Sequence, residues 1–424
     1  MKVFNTVTAI TASAISRGNR NRQLRRINKT NIMNRNIRNL GGVTVDSILP
    51  EKTYGGNICL SGNDDRFRNL LFLQSLKQAS SMGESIIVLH EGDNQLEYDI
   101  SNIIHKKGYL RFINAYNPYY DPILRLDDEK TISLLLSSSL NEHKIPDKGI
   151  LYLRGMLKLL RKTSITPYIH KLITCPHERI HQVILSAEQS GIISSSEADE
   201  IRNNIDEGQE ARSSIEYLFS ELKNESTIIS DKPRLLRSTS VIECVKNNGI
   251  LVIDVGSMSN RALLSLIVSE IKSAKRVNKH IRVAVSAQSI VDSESLKELL
   301  QSASKCLRFT ISTENIGCFS GTDKSELETF LALSHKVVIF SHGVRSAELL
   351  SVELGEYDFI EAHFSRGGNT GLGGFGLHFG SNNAIKPEHK RERVVQAEEI
   401  EHMKKGEFIM LDNYRGELFS GKII

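Results

Sequence analysis

The sequence predicts an α/β protein, a parallel sheet flanked by helices with an all-helical segment inserted into it. Three observations predict it. From residue 55 onward, β-rich runs at 57–62 (NICLSG), 85–90 (SIIVLH) and 109–115 (YLRFINA) alternate with helical stretches or loops, the pattern of parallel βαβ units. Over 128–229 that pattern gives way to apolar residues at helical spacing: Ile150, Leu151, Leu153, Met156, Leu157 and Leu160, then Ile201, Ile205, Ile215, Leu218 and Leu222. Strand signals then return at 249–255 (GILVIDV).

The remaining elements follow in order. A helix is expected over 69–79 behind the first strand. After 249–255 come a helix over 262–276, a strand over 281–287, a helix near 293–304 and a strand over 306–312. A strand at 336–341 precedes a helix over 344–354. The tail holds a glycine-rich stretch at 366–380, read as a mobile loop, then a short helix over 396–405 and a closing strand at 408–411. The expected organisation is a basic arm over 1–45 that is flexible or conditionally helical, an α/β domain over 46–127 and 233–424, and an all-helical insertion over 128–232.

Composition narrows the function classes. A chain of 424 residues with 40% apolar residues can bury real cores, and 25% charged residues excludes collagen-like and fully disordered classes. The net charge of +4 is unevenly spread. Residues 1–45 carry nine basic residues and no acid before Asp46, so the remaining 45 basic and 50 acidic residues leave a body of −5. No apolar run reaches the ~18 residues of a membrane-spanning helix. Residues 1–16 carry Ala12-Ser13-Ala14 as a weak cleavage-site pattern, but threonines dilute the apolar stretch; an Arg-rich, acid-free start also suits a transit peptide. Five cysteines without close spacing read as thiols of a reducing compartment.

Three stretches could carry chemistry. The first strand ends in Gly62-Asn63-Asp64-Asp65-Arg66-Phe67-Arg68-Asn69, in the register of the phosphate-binding motif G-x-x-x-x-G-K-[ST]. Phe67 stands where the second glycine belongs, Arg68 for the lysine and Asn69 for the hydroxyl that holds Mg²⁺, while Asp64 and Asp65 put negative charge where phosphates would lie. The run Ile250–Asp254 ends in a carboxylate placed as for a Mg²⁺ shell, followed by Val255 instead of a water-activating glutamate. The strand VAVSAQ ends in Gln288, which a parallel sheet would bring to the same carboxyl edge as Asp254. Each is weak alone, and their order carries the weight.

That order resembles the motor domain of type IV secretion coupling ATPases, the conjugation proteins of the FtsK/HerA superfamily. Similar stretches are ESIIVLHEGDN, NAYNPYYDP, ILVIDVGSMSN, RVAVSAQSI, VVIFSHGVRSAELLSVELGE and ERVVQAEEIEHMKKGEFIML, covering roughly 55–424. The resemblance implies a RecA-like P-loop-type domain with an inserted all-α domain, and hexameric rings that engage DNA–protein substrates. It places Gly62, Arg68 and Asn69 at the nucleotide loop, Asp254 at the Mg²⁺-side acid and Gln288 at the sensing glutamine, with ATP and Mg²⁺ as cofactor. Since phosphoryl transfer rests on positioning and charge stabilisation, loss of the lysine, hydroxyl and glutamate predicts little or no hydrolysis. The expectation is a degenerate coupling-type subunit that recruits DNA or a protein substrate. Its implied partners are secretion or conjugation subunits, DNA or a relaxosome protein, and a homo- or hetero-oligomeric ring. Its implied place is the cytoplasm, with peripheral contact at the inner membrane. An active translocating ATPase using Arg68 and Asp254 is the alternative.

Other motifs compete. His177-Glu178-Arg179-Ile180-His181 matches the zinc-hydrolase string H-E-x-x-H, with Glu197 or Glu200 as a third ligand, but Pro176 puts His177 in the first turn of any helix and Arg179 adds a cation. Asp254, Ser257 and Ser259 imitate an adhesion metal motif one residue out of register. Residues 371–376 satisfy G-x-G-x-x-G without a following helix, and the flanking run 386–394 (KPEHKRERV) suits solvent or nucleic acid. Arg17, Arg20, Arg22, Arg25, Arg26, Lys29, Arg35 and Arg38, interleaved with asparagines, suit nucleic-acid phosphates, an anionic membrane surface, or solvent alone. The arm has no aromatic beyond Phe4, so base stacking is not its mode.

Overall fold

The structure, a computed structural model, describes residues 20–51, 56–103, 108–225, 227–231, 237–256, 261–275, 280–287, 294–304, 306–316, 324–372 and 377–424. Two compact units divide the chain: Val43–Val338 with Ile423–Ile424, and Met1–Gly42 with Ile339–Lys422.

Strand β1 (Ile37–Val43) belongs to the smaller unit. The larger carries β2 (Ile58–Ser61), β3 (Ser85–His90), β4 (Leu110–Ile113), β5 (Ile250–Asp254), β6 (Ile281–Ser286), β7 (Leu307–Thr313) and β8 (Lys336–Ile339), in the order β8-β2-β7-β6-β3-β5-β4. Every pair from β2 to β4 in that order is parallel. β3 and β7 are buried at every residue, and β5 and β6 at all but the last, because helices cover both faces. In β4, at the end of the order, only Ile113 is buried. The helix Asp65–Ser81 joins β2 to β3 and packs on β2, β3 and β7. It starts four residues before the expected position, a point that bears on the site.

The insertion forms six α-helices among the described residues of 128–225: Asp128–Ser137, Gly149–Lys162, Ile169–Ile173, Ile180–Gln189, Ser195–Glu207 and Arg212–Glu225. Leu153, Met156, Leu157, Ile201, Ile205, Ile215, Leu218 and Leu222 are buried, whereas Ile150 faces outward. Helices Gly149–Lys162 and Ser195–Glu207 approach so closely that a Cβ on Gly208 would lie 2.4 Å from the Tyr152 backbone nitrogen. Seryl hydroxyls tie the insertion to the helix behind β5: Ser265 Oγ donates to the Ser138 carbonyl at 2.9 Å, and Ser269 Oγ to that of Ser137 at 2.8 Å.

In the smaller unit, β9 (Glu356–Leu372) and β10 (Leu377–Arg393) form an antiparallel hairpin, and β11 (Glu407–Asp412) and β12 (Glu417–Ile423) another, with β1 beside β12. The stretch expected as a mobile glycine loop is therefore strand up to Leu372 and from Leu377, while 373–376 lie outside the described residues. Charge pairs cross the hairpin: Arg393 to Glu356 at 3.1 Å, His389 to Asp358 at 2.8 Å, and Lys390 to Glu361. So three basic residues of the 386–394 run face carboxylates of β9.

The basic arm is helical over 20–35. Asparagines dock it. Asn31 Nδ2 donates to the Ile360 carbonyl at 3.0 Å while its Oδ1 accepts the Ile360 N–H at 2.8 Å, so one side-chain amide pairs with the backbone of β9 as a neighbouring strand would. Asn34 donates to the Asp358 carbonyl at 2.8 Å, and Arg35 Nε to that of Val394 at 2.7 Å.

Candidate functional site

The parallel strands deliver Ser61, His90, Asp254, Ser286 and Thr313 to one carboxyl edge, the edge where ligands bind open α/β sheets. Gln288 follows β6 and lies outside the described residues. Arg68 and Asp254 are placed, and each is already committed to internal partners.

Gly62 leaves β2 at φ 126°, a conformation glycine tolerates, and its N–H donates to the Thr313 carbonyl at 3.1 Å. Because the helix begins at Asp65, only residues 62–64 separate strand from helix, and the stretch that would wrap a phosphate is largely the first helical turn. Arg68, 7% exposed, turns its guanidinium back beneath this corner. Its Nε donates to Ser312 Oγ at 3.1 Å and its Nη1 to the Gly62 carbonyl. Its Nη2 lies 2.7 Å from Asp65 Oδ1 and 3.8 Å from Glu314 Oε1. The Gly62 peptide thus has both polar groups bonded internally, and the cation standing at the lysine position already has two carboxylates. A phosphate placed here would have to compete with those carboxylates for the guanidinium. Asn69 is half-buried on the same helix.

Asp254 engages one carboxylate oxygen internally. Its Oδ1 accepts the N–H of Gly92 at 2.9 Å and that of Gly256 at 3.0 Å, fastening the turns that leave β3 and β5. Beside it, in register on β3, is a residue that sequence reasoning did not single out. His90 is fully buried; its Nδ1 accepts the Asp93 N–H at 3.1 Å, and its Nε2 lies 3.3 Å from Glu97 Oε1. Asn114 Nδ2 donates to both Glu97 oxygens at 3.1 and 3.0 Å. The signal was a histidine closing an otherwise apolar strand.

Neither a protein-family model nor a curated protein matches the sequence. Among solved structures, the plasmid coupling protein TrwB in complex with the non-hydrolysable ATP analogue ADPNP superposes with a TM-score of 0.57 at 15% identity, covering 92% of this chain and 93% of that one. The bacterial conjugative coupling protein TrwBdeltaN70, in its unbound monoclinic form, gives 0.53 at 15% identity over 91% and 88%. The chain shares the fold of TrwB. Its mostly parallel sheet flanked by helices is the one the sequence predicts. Within this fold, the strand–loop–helix around Gly62 is the corner that Arg68 closes.

The other candidates do not assemble. His177 sits in a 3₁₀ turn (His177–Arg179) and is buried against Tyr152 and Phe219, its Nδ1 3.1 Å from the Tyr152 hydroxyl, and burial pulls its pKa down. His181 is half-exposed on the next helix, 3.2 Å from Asp206, so the two imidazoles serve different surroundings. Glu197 and Glu200 pair with Lys162 and Lys158. Among the described residues no group of three or more His, Cys, Asp or Glu could hold a metal ion. In the basic segment, Arg35 pairs with Glu399 and Arg38 with Glu417 at 3.1 Å, while Arg17 lies outside the described residues. Arg20, Arg22, Arg25, Arg26 and Lys29 are exposed on the helix over 20–35. Among the described residues no helix is long and apolar enough to cross a membrane.

Proposed function

We propose that this chain is a coupling-type component of a conjugation or type IV secretion apparatus that works without turning over ATP, recruiting DNA or a protein substrate to its partners. The observation that carries the reading is the arrangement of Arg68, with its guanidinium held by Gly62, Ser312, Asp65 and Glu314 at the corner where a nucleotide's phosphates would need donors. Asp254, bonded to two backbone amides, supports it. The likeness to TrwB supplies the fold that such a component would use.

Equilibrium dialysis against Mg²⁺-ATP, with phosphate release measured in parallel, is expected to give no saturable binding and no turnover, for wild type and Arg68→Ala alike. Saturable binding with turnover that Arg68→Ala abolishes would establish the translocating-ATPase reading instead. Light scattering with and without DNA tests the recruiting part. A particle that grows with DNA supports it, and a monomer indifferent to DNA sinks it.

A further inference from the structure

The helix over 20–35 is docked by one face and presents another that is exposed among the described residues. Leu24, Ile27, Asn31 and Arg35 lie on the docked side, buried or half-buried. At about 100° per residue, Arg22, Arg25, Arg26, Lys29, Ile32 and Met33 share an arc of about 120° on the opposite side. All six are exposed, Ile32 at 73% and Met33 at 69%. Residues 20–35 contain no acid, and none of the four cations has an ion-pair partner among the described residues. Their neighbours Arg35 and Arg38, by contrast, are neutralised by glutamates.

Large apolar side chains set among unpaired cations decide the partner. A nucleic-acid backbone attracts the cations but offers little to an isoleucine and a methionine, and the face has no aromatic ring to stack on a base. A bilayer surface satisfies both: anionic headgroups meet the cations, and the boundary of the acyl region takes the apolar pair, while long basic side chains reach back to the headgroups. We propose that this face binds the surface of a bilayer rich in anionic lipid, with Ile32 and Met33 entering the acyl boundary and Arg22, Arg25, Arg26 and Lys29 lying on the headgroups. The helix lies on the membrane and does not cross it. This goes beyond the coupling-type reading and does not depend on it.

Co-sedimentation of the full chain with vesicles tests it, using phosphatidylcholine alone and phosphatidylcholine mixed with phosphatidylglycerol. Binding is expected only with the anionic lipid and should weaken with salt. Replacing Arg22, Arg25, Arg26 and Lys29 by glutamine is expected to lower the partition coefficient about a thousandfold. The double variant Ile32→Ser/Met33→Ser keeps every charge and is expected to lose about tenfold or more. All six side chains face solvent, so circular dichroism of the variants should match wild type. Vesicle binding untouched by Ile32→Ser/Met33→Ser overturns the proposal, since ionic adsorption alone would then account for it. So does wild type that binds duplex DNA and ignores the anionic vesicles, which would assign the face to nucleic acid.

Discussion

Replacing Glu84 with glutamine is expected to cost about 3–5 kcal/mol of folding stability, a large part of the roughly 5–15 kcal/mol a domain holds in reserve. Glu84 precedes β3 and is 1% exposed. Its carboxylate takes Arg282 Nε at 2.8 Å and Nη2 at 3.4 Å from β6, and Arg308 Nη1 from β7. Arg282, also 1% exposed, spends its Nη1 on the Gly56 carbonyl at 2.8 Å and on the Phe309 carbonyl and Thr310 Oγ1 at 3.3 Å each. Two guanidinium groups thus share one buried carboxylate. Glutamine keeps the shape and removes the charge, leaving two cations in the sheet interior and turning an amide NH₂ toward a donor. Urea unfolding should show a lower midpoint at unchanged slope. The control is Glu129→Gln, which removes the partner of Arg154 at 3.1 Å in an exposed pair and should cost no more than about 1 kcal/mol. If the two variants unfold alike, the buried cluster is not what holds β3, β6 and β7 together.

Much of this sheet was legible because strands covered on both faces read as unbroken apolar runs. Residues 85–90 and 281–287 were expected as strands and appear as Ser85–His90 and Ile281–Ser286. Two elements that the sequence shows less plainly are held by polar contacts. The helix over 20–35 half-buries Leu24 and Ile27 and is fastened by Asn31 and Asn34 to the backbone of β9, so it leaves little apolar periodicity to see. The β9–β10 hairpin hides similarly, because the cross-strand pairs Arg393–Glu356 and Lys390–Glu361 look in sequence like solvated charge.

At the carboxyl edge, the sequence located Gly62, Arg68 and Asp254 but not what they touch. Ser312 and Glu314, which help hold the Arg68 guanidinium, follow it by more than two hundred residues, and no local pattern points to them. The early helix start had a local sign. Asp64 stands at the N-cap and Asp65 in the first turn, where negative charge meets the positive end of the helix dipole. The two aspartates that put negative charge at the loop also start the helix early and so shorten the loop.

The stability gap between wild type and Asp121→Asn is expected to widen by about 2 kcal/mol as pH falls from 7 to 4.5. Asp121 Oδ1 accepts the N–H groups of Ile123 at 3.1 Å and Leu124 at 3.0 Å, and Oδ2 accepts that of Ile169 at 3.1 Å, joining the loop after β4 to the insertion. Burial nevertheless dominates and pushes its pKa up from 3.8 to about 6, against the lowering effect of those three amides. Nearby Glu270, fully buried beneath the Tyr120 hydroxyl at 2.8 Å, is raised for the same reason. Between pH 3.8 and about 6 the folded state holds a proton on Asp121 that the unfolded chain has released, so this group's contribution grows as pH falls and is lost as pH rises through 6. Asparagine does not titrate. It keeps the acceptor for Ile123 and Leu124 but sets an NH₂ against the Ile169 N–H, a cost of about 1–2 kcal/mol at every pH. Urea unfolding of both proteins from pH 7 to 4.5 separates that constant cost from the titrating one. A gap that stays flat would mean that Asp121 remains ionised in the folded state, its charge held by the three amides after all.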